Sequence, residues 1–467
     1  MKVSDSFIEK YRSKKILIVG MGKSGVAAME VFADIRSDIF AYDSNSFEAT
    51  DERLHAMIEE KCKGSFLGGK IPYTAGWDYI VMSPGVPPST PFILDAINNG
   101  AKLTGDLELG FEACDFKFVG ITGTNGKTTT TTLVGEIFKA AGVESEVAGN
   151  IGRPVILCAS TGKTTDEKVL ITEISSFQLE TIDEFRPHIA AFLNLTPDHL
   201  DRHGSIEAYG DAKARIFEKQ TEDDYLVYNY DDPEVSALVD TAKSVLTPFS
   251  RKFELEEGVF VKDGSIIIAD RDNGKEILLS LSELKIPGNH NVENALAAVA
   301  IAVRAGIDKK VIAKVLSEFM GVEHRMELAG EIDGVKYVND SKGTNPEASE
   351  KAIEATEKGV ILIAGGYNKN SDFHNFIKGF RGKVKNLVLL GDTANVIYET
   401  AIQEGFENVE ICSDMEDCVR VATSHASVGD TVLLSPACAS WDMYKSFEER
   451  GDHFKGIVRE LMSKDKE

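Results

Sequence analysis

The sequence predicts an α/β fold repeated three times along the chain. Three apolar runs each break into a glycine-rich turn: Ile16-Leu-Ile-Val-Gly20, Phe118-Val-Gly-Ile-Thr122 with Gly123, and Val360-Ile-Leu-Ile-Ala364 with Gly365-Gly366. A strand that turns on glycine into a helix is half of a parallel-sheet unit, because parallel strands need a helical crossover. The length of 467 residues also exceeds one ordinary core, and at ~150 residues per domain the expectation is about three domains.

In chain order, the first run passes through Met21-Gly-Lys-Ser-Gly25 into a helical stretch reaching Phe32, with further strands expected at Ile39–Tyr42 and Tyr79–Met82. The second turns at Gly123-Thr-Asn-Gly126 into a helix carrying Leu133, Ile137 and Ala141 on one face. Strands are expected after it at Val169–Thr172 and Ile189–Asn194, then an Ala-rich helix near Asn294. A strand-turn-strand over Ala329–Val338 opens the third unit, whose later strands read at Leu387–Leu390 and Thr431–Leu434. Boundaries near 105 and 321 divide the chain into 1–105, 106–321 and 322–467, each on a largely parallel sheet.

Composition excludes several classes. Apolar residues at 43% and charged residues at 27% match soluble globular chains, so wholesale disorder is out. No apolar run approaches the ~18 residues of a membrane helix, and Met1-Lys-Val-Ser-Asp-Ser lacks the apolar core of a signal peptide. The expectation is a cytoplasmic protein, a monomer, with no membrane insertion. Lys plus Arg number 51 against 75 Asp plus Glu, a net charge of −24 that repels nucleic acid and anionic lipid. An anionic substrate must then be drawn in by glycine turns, helix N-termini and a few placed cations. The six cysteines form no CxxC pair and read as reduced thiols.

Gly20-Met-Gly-Lys-Ser-Gly25 fits G-x-G-x-x-G between a strand and a helix, with Asp43 ending the next strand. The glycines let backbone approach a diphosphate and the acid reaches a ribose hydroxyl; the loop reads the diphosphate, not the base. The first unit is therefore Rossmann-like. Thr122-Gly-Thr-Asn-Gly-Lys127-Thr128-Thr129 is the strongest single feature. Such a loop cradles phosphates on backbone N–H groups, with Lys127 on the β and γ oxygens and Thr128 on Mg²⁺. It is shorter than the strict P-loop, since Ile121 stands where that spacing puts a glycine.

Glu173, in Glu-Ile-Ser-Ser-Phe-Gln178, ends a strand beside the phosphate loop, the place for a Mg²⁺ ligand or for a solvated acid. Asn194-Leu-Thr-Pro-Asp-His199-Leu-Asp-Arg-His203 concentrates His and Asp at another strand end and suits a metal or phosphate role. Spacing alone leaves Lys213 a solvated lysine on a helix. Asn291 and Asn294 either cap the Ala-rich helix or pair with an adenine edge. His324-Arg325 and Asn339-Asp340-Ser-Lys342-Gly-Thr344-Asn345 place charged groups on turns at the head of the third unit.

Taken in order, these segments resemble the Mur ligases of peptidoglycan assembly. The resemblance runs through GMGKSG, SPG at Ser83-Pro84-Gly85, GTNGKTT, GNIG at Gly149–Gly152, EISSFQLE, NLTPDHLDRHGS, AKARI, GNHNVENA, HRME, NDSKGTN and SPACASWD, with Phe447-Glu-Glu-Arg-Gly451. The NDSKGTN and SPACASWD pair resembles the branch that adds D-glutamate; Gly343 stands where Ala is common. The resemblance implies a Rossmann-like UDP-binding domain, a central P-loop ATPase-like domain and a C-terminal Rossmann-like domain that binds the amino acid. It implies ATP and two Mg²⁺ ions, with UDP-N-acetylmuramoyl-L-alanine and D-glutamate as substrates.

By the same resemblance, Gly22, Lys23, Ser24, Asp43, Ser44, Ser83, Pro84, Gly85, Asn150, Ser175 and Gln178 hold the UDP substrate. Gly123, Thr124, Asn125, Gly126, Lys127, Thr128 and Thr129 carry the ATP phosphates, Asn291 and Asn294 the adenine, and Arg325, Asp340 and Lys342 complete the ATP site. Thr128, Glu173, His199 and a carbamylated Lys213 bind metal; Lys127, His199, Lys213 and Asn150 are catalytic. Thr344, Lys369, Ser440 and Phe447 hold D-glutamate. The reaction implied passes through an acyl phosphate that the D-glutamate amine attacks. Two rival readings use fewer of these features. A nicotinamide-dependent dehydrogenase leaves the GTNGKTT loop idle, and a nucleotide sensor needs no Arg325 or Lys369. Within the family, folylpolyglutamate synthetase lacks the UDP-type first domain.

Overall fold

The computed structural model describes residues 3–45, 52–160, 168–286, 288–357, 359–367, 371–380 and 382–464. Its packing divides into two compact units, Met1–Phe319 and Met320–Glu467. Among the described residues three sheets carry the fold, and both of the first two lie in the first unit.

The first sheet is fully parallel, in the spatial order Gly64–Phe66, Asp38–Tyr42, Lys15–Val19, Tyr79–Met82, Lys102–Gly105. Val19 pairs with Tyr42 on one side and Met82 on the other, so Gly20, Asp43 and Ser83 leave the sheet side by side. Gly25 opens the helix Lys23–Asp34 where a Cβ would stand 2.0 Å from the Gly20 carbonyl oxygen. Only glycine lets helix and turn approach so closely.

Among the described residues the second sheet has nine strands, and from one end it orders Ser145–Gly149, Val169–Glu173, Lys117–Thr122, Ile189–Phe192, all parallel. Beyond Tyr225–Asn229 and Val245–Ser250, the strands Gly258–Lys262, Ser265–Asp270 and Gly274–Ser280 add an antiparallel extension absent from the sequence reading. The two sheets share one apolar core, in which Phe7, Tyr11 and Phe32 join Leu107, Phe118, Val155 and Phe185. The helix Asp106–Ala113 joins them with two buried carboxylates: Asp106 accepts from the N–H groups of Val155 and Ile156, and Glu108 from those of Asp183, Glu184 and Phe185. Each satisfies orphan backbone donors at a chain turn. This is why two of the three sheets form one unit.

In the second unit the order is Glu327–Ile332, Val335–Asn339, Thr431–Leu434, Val360–Gly365, Val384–Leu390, Val409–Ile411. Only the first pair is antiparallel. The third glycine turn differs from the other two: Gly366 leads not into a helix but into a bridge between Tyr367 and Ala439, and the next helix begins at His374. Among the described residues no helix is long and apolar enough to cross a membrane.

Candidate active site

The phosphate-type loop grows from Lys117–Thr122, an inner strand of the second sheet. Gly126, at φ 82°, precedes the helix Lys127–Ala140, and a Cβ on it would stand 2.1 Å from Asn294 Oδ1. Loop and Ala-rich helix are thus in contact, and Thr130 Oγ1 donates to the same Asn294 oxygen at 3.4 Å. Asn294 Nδ2 donates to Asn291 Oδ1 at 3.1 Å, so this pair supports the loop from behind. On the other flank Asn194 Oδ1 accepts from the Asn125 N–H at 2.8 Å, and Thr124 Oγ1 donates to the Thr196 carbonyl at 3.1 Å.

Lys127 Nζ donates to the carbonyls of Gly123 and Thr124, both at 2.8 Å. Lys213 Nζ, from the helix Ile206–Ala214, reaches the same Gly123 carbonyl at 2.9 Å. Lys213 is 1% exposed. Burial, and then the Lys127 ammonium, hold its pKa well below the ordinary lysine value. The solvated lysine that spacing suggests is a buried amine at the phosphate loop.

Register carries Glu173 to the same edge, since it follows Thr172 on the strand beside the loop strand and pairs with Gly149. Glu173 is buried; Oε1 accepts from Asn150 Nδ2 at 2.7 Å, and Oε2 has no hydrogen-bond partner. A buried carboxylate oxygen without a donor costs free energy unless a cation or ligand meets it. His199 begins the short helix Leu200–His203 in the left-handed region at φ 51°, its ring 4.8 Å from that of Phe177. Ser175 and Gln178 form a capping box over Ser176–Leu179, so each already serves the other.

At the edge of the first sheet, Asp43 accepts from the Met21 N–H at 2.7 Å and the Asn45 N–H at 2.9 Å, and so fixes the glycine turn. Ser44 is exposed beside it. Ser83 packs on Gly20, where a Cβ would meet its own Cβ at 2.6 Å. Gly22, Lys23, Ser24, Pro84 and Gly85 line the same end of the sheet.

In the second unit, burial pushes the Asp340 carboxyl up to about 6. It accepts from Ser435 Oγ at 2.6 Å and from the Met326 N–H at 3.2 Å, and a Cβ at Gly343 would stand 2.7 Å from it. Arg325 is exposed, and Lys342 Nζ stands 5.8 Å from the Phe447 ring centre. Thr344 follows on the same turn, its N–H donating to the Lys342 carbonyl at 2.9 Å, and Ser440 is buried on the loop after Thr431–Leu434. Lys369 lies outside the described residues. Sequence reasoning passed over Arg450, which is 2% exposed. Its guanidinium donates to the carbonyls of Ser341, Cys438 and Ala439 and to Ser341 Oγ. Burial lowers its pKa to about 10.

Three family models match in chain order. A MurD-like N-terminal domain of Mur ligases covers residues 14–105, the Mur ligase middle domain 121–302, and the glutamate ligase domain of Mur ligases 324–438. The chain belongs to the Mur ligase family.

Relatives within this family match nearly end to end. A UDP-N-acetylmuramoylalanine–D-glutamate ligase of Thermoanaerobacter sp. is 47% identical over 452 residues, 96% of this chain and 99% of the relative. One from Clostridioides difficile is 45% identical over 454 residues, with the same shares. Solved structures share the Mur ligase fold at low identity. The UDP-N-acetylmuramate-alanine ligase MurC of Thermotoga maritima superposes with TM-score 0.55 at 20% identity, over 96% of this chain and 100% of that one. FolC from E. coli, solved with ADP, gives 0.53 at 17%, over 74% and 90%.

Proposed function

We propose that this chain is an ATP-dependent ligase that joins D-glutamate to UDP-N-acetylmuramoyl-L-alanine in the cytoplasmic synthesis of peptidoglycan precursors, and so serves cell-wall growth and division. The observation that carries this reading is the end-to-end match to relatives bearing that activity in their names, with the phosphate loop, Glu173 and Lys213 meeting at one sheet edge.

A carboxylate does not react with an amine at neutral pH until it is activated. The alanyl carboxylate attacks the γ-phosphorus in line, giving an acyl phosphate and ADP; the D-glutamate amine then attacks the acyl carbon and phosphate leaves. The loop Gly123 to Thr129 binds the ATP phosphates through the N-terminus of Lys127–Ala140, while Asn194 holds the N–H groups of Thr124 and Asn125 and so shapes the loop. Lys127 exchanges its two carbonyl partners for β and γ oxygens. Asn150 orients Glu173 and meets the muramoyl-alanine end. Asn291 and Asn294 stand for the adenine, and Arg325, Asp340 and Lys342 also serve ATP.

The donor set fits Mg²⁺. Glu173 offers a buried oxygen without a partner, Thr128 a hydroxyl and His199 a ring nitrogen. When bound, Mg²⁺ supplies charge neutralisation on the transferring phosphate. Lys213, whose burial disfavours the charged form, adds CO₂ as the amine and releases a proton, which puts a carbamate oxygen ligand at that position. The first-sheet edge from Gly22 to Ser24, with Asp43, Ser44 and Ser83 to Gly85, holds the UDP group, and Ser175 and Gln178 its sugar side. Thr344, Lys369, Ser440 and Phe447 hold D-glutamate.

The test is phosphate release from ATP with UDP-N-acetylmuramoyl-L-alanine and each of several amino acids. Release that depends on D-glutamate and produces the amide supports the reading. Release indifferent to the amino acid, or NADH oxidation in place of ATP cleavage, overturns it.

A further inference from the structure

Arg202 follows His199 by three residues, and nothing above gives it a part in the reaction. Its guanidinium joins three pieces of the first unit. Nη1 donates to the Pro84 carbonyl at 2.8 Å and Nη2 to the Val86 carbonyl at 3.3 Å. Nε reaches Glu180 Oε1 at 3.3 Å, and Nη2 pairs with Glu180 Oε2. The plane lies over the Phe177 ring, 4.0 Å from its centre. One side chain therefore ties the turn after Tyr79–Met82 in the first sheet to the helix Ser176–Leu179 that follows Glu173. It reaches both from its own short helix behind His199.

The turn it holds is tied to the sheet at its start, where the Ser83 N–H donates to the Val19 carbonyl at 2.9 Å. Ser83 packs on Gly20, and the Val86 N–H donates to the Ser83 carbonyl at 3.0 Å. The opposite side is open: a Cβ at Gly85 would meet nothing within 4 Å. Arginine suits the task because its fork of N–H donors can serve two carbonyls and a carboxylate at once, whereas a lysine offers one point charge. Glu180, 18% exposed, fixes the fork from the far side.

We propose that Arg202 is a positioning residue for the nucleotide substrate. It sets the height of the Ser83–Val86 turn against the Gly20–Gly25 turn, so that the UDP end and the muramoyl-alanine end are received at a fixed span. The inference rests on the proposed placing of the UDP group on this turn.

The experiment measures KM for UDP-N-acetylmuramoyl-L-alanine, ATP and D-glutamate in wild type, Arg202→Lys, Glu180→Gln and Gly85→Leu. Glu180→Gln leaves Arg202 in place and keeps the test alive if Arg202→Lys does not fold. Gly85→Leu puts a side chain into the open space and probes the placing itself. The expected result is a KM for the nucleotide substrate raised at least tenfold in Gly85→Leu and Arg202→Lys, and severalfold in Glu180→Gln. KM for ATP and D-glutamate should stay within threefold. If Gly85→Leu raises that KM and neither Arg202→Lys nor Glu180→Gln does, the positioning role falls and the placing stands. An unchanged KM in Gly85→Leu refutes the placing and the inference with it. Equal rises in all three KM values would mark Arg202 as merely structural and overturn the proposal.

Discussion

Lys127 and Lys213 donate to one atom, the carbonyl oxygen of Gly123, from 2.8 and 2.9 Å. Two ammonium groups on one acceptor repel each other, and burial makes the charge on Lys213 the costlier of the two. The arrangement favours an uncharged amine at position 213, the form that CO₂ can modify.

Replacement of Lys213 by Ala should therefore leave the fold standing and remove nearly all ligation. Short-chain carboxylic acids that enter the vacated space should restore part of the rate. Steady-state assays with and without added acetate or formate read this, and a fully active variant ends the carbamate reading.

Lys127→Ala removes a cation from the phosphate loop while leaving Gly126 and the helix start unaltered. Loss of one such donor to a transferring phosphoryl group costs ~3 kcal/mol or more, at least a hundredfold in kcat. The melting temperature should move by only a few degrees. A variant keeping more than about a tenth of wild-type turnover (~1.4 kcal/mol) would remove Lys127 from the site.

Asp340 gives a pH dependence of stability. Its carboxyl titrates at about 6 in the folded chain against 3.8 for an ordinary aspartate, so between those values the folded state binds the extra proton. Its contribution is therefore greatest below about pH 4, falls as pH rises to about 6, and stays low above that. The span corresponds to about 3 kcal/mol. Asp340→Asn should unfold at higher urea than wild type at pH 7.5 and lose that advantage at pH 4. The same ordering at both pH values would contradict the assignment of the proton to Asp340.

Arg450→Met should destabilise the second unit by ~3–5 kcal/mol, because the carbonyls of Ser341, Cys438 and Ala439 lose their buried donor. Thermal unfolding measures it. A shift of under two degrees would mean that water replaces the guanidinium.

Glycine turns were legible because their geometry admits no other residue. A Cβ on Gly25 would stand only 2.0 Å from the Gly20 carbonyl oxygen, and Gly126 combines positive φ with contact to Asn294. Their flanking strands are apolar on both faces and announce a buried parallel sheet. The antiparallel extension Gly258–Ser280 went unread although Ile266-Ile-Ile-Ala269 is a buried apolar run; its last strand, where Lys275 and Glu276 face solvent, carries the weaker signal. Arg202 and Arg450 went unread for another reason. An arginine held by carbonyls looks like a solvated one in sequence, and Pro84, which holds Arg202, and Ser341, which helps to hold Arg450, lie more than a hundred residues away in the chain. Lys213 needed the family resemblance, since its partner Gly123 is likewise remote.

The central claim is that ATP activates the alanyl carboxylate as an acyl phosphate before D-glutamate adds. The most direct measurement uses UDP-N-acetylmuramoyl-L-alanine with ¹⁸O in both carboxylate oxygens and analyses the products by mass spectrometry. The account predicts one ¹⁸O in each phosphate released and the other in the new amide, with transfer dependent on D-glutamate turnover. Phosphate free of ¹⁸O, with its fourth oxygen drawn from water, would contradict it.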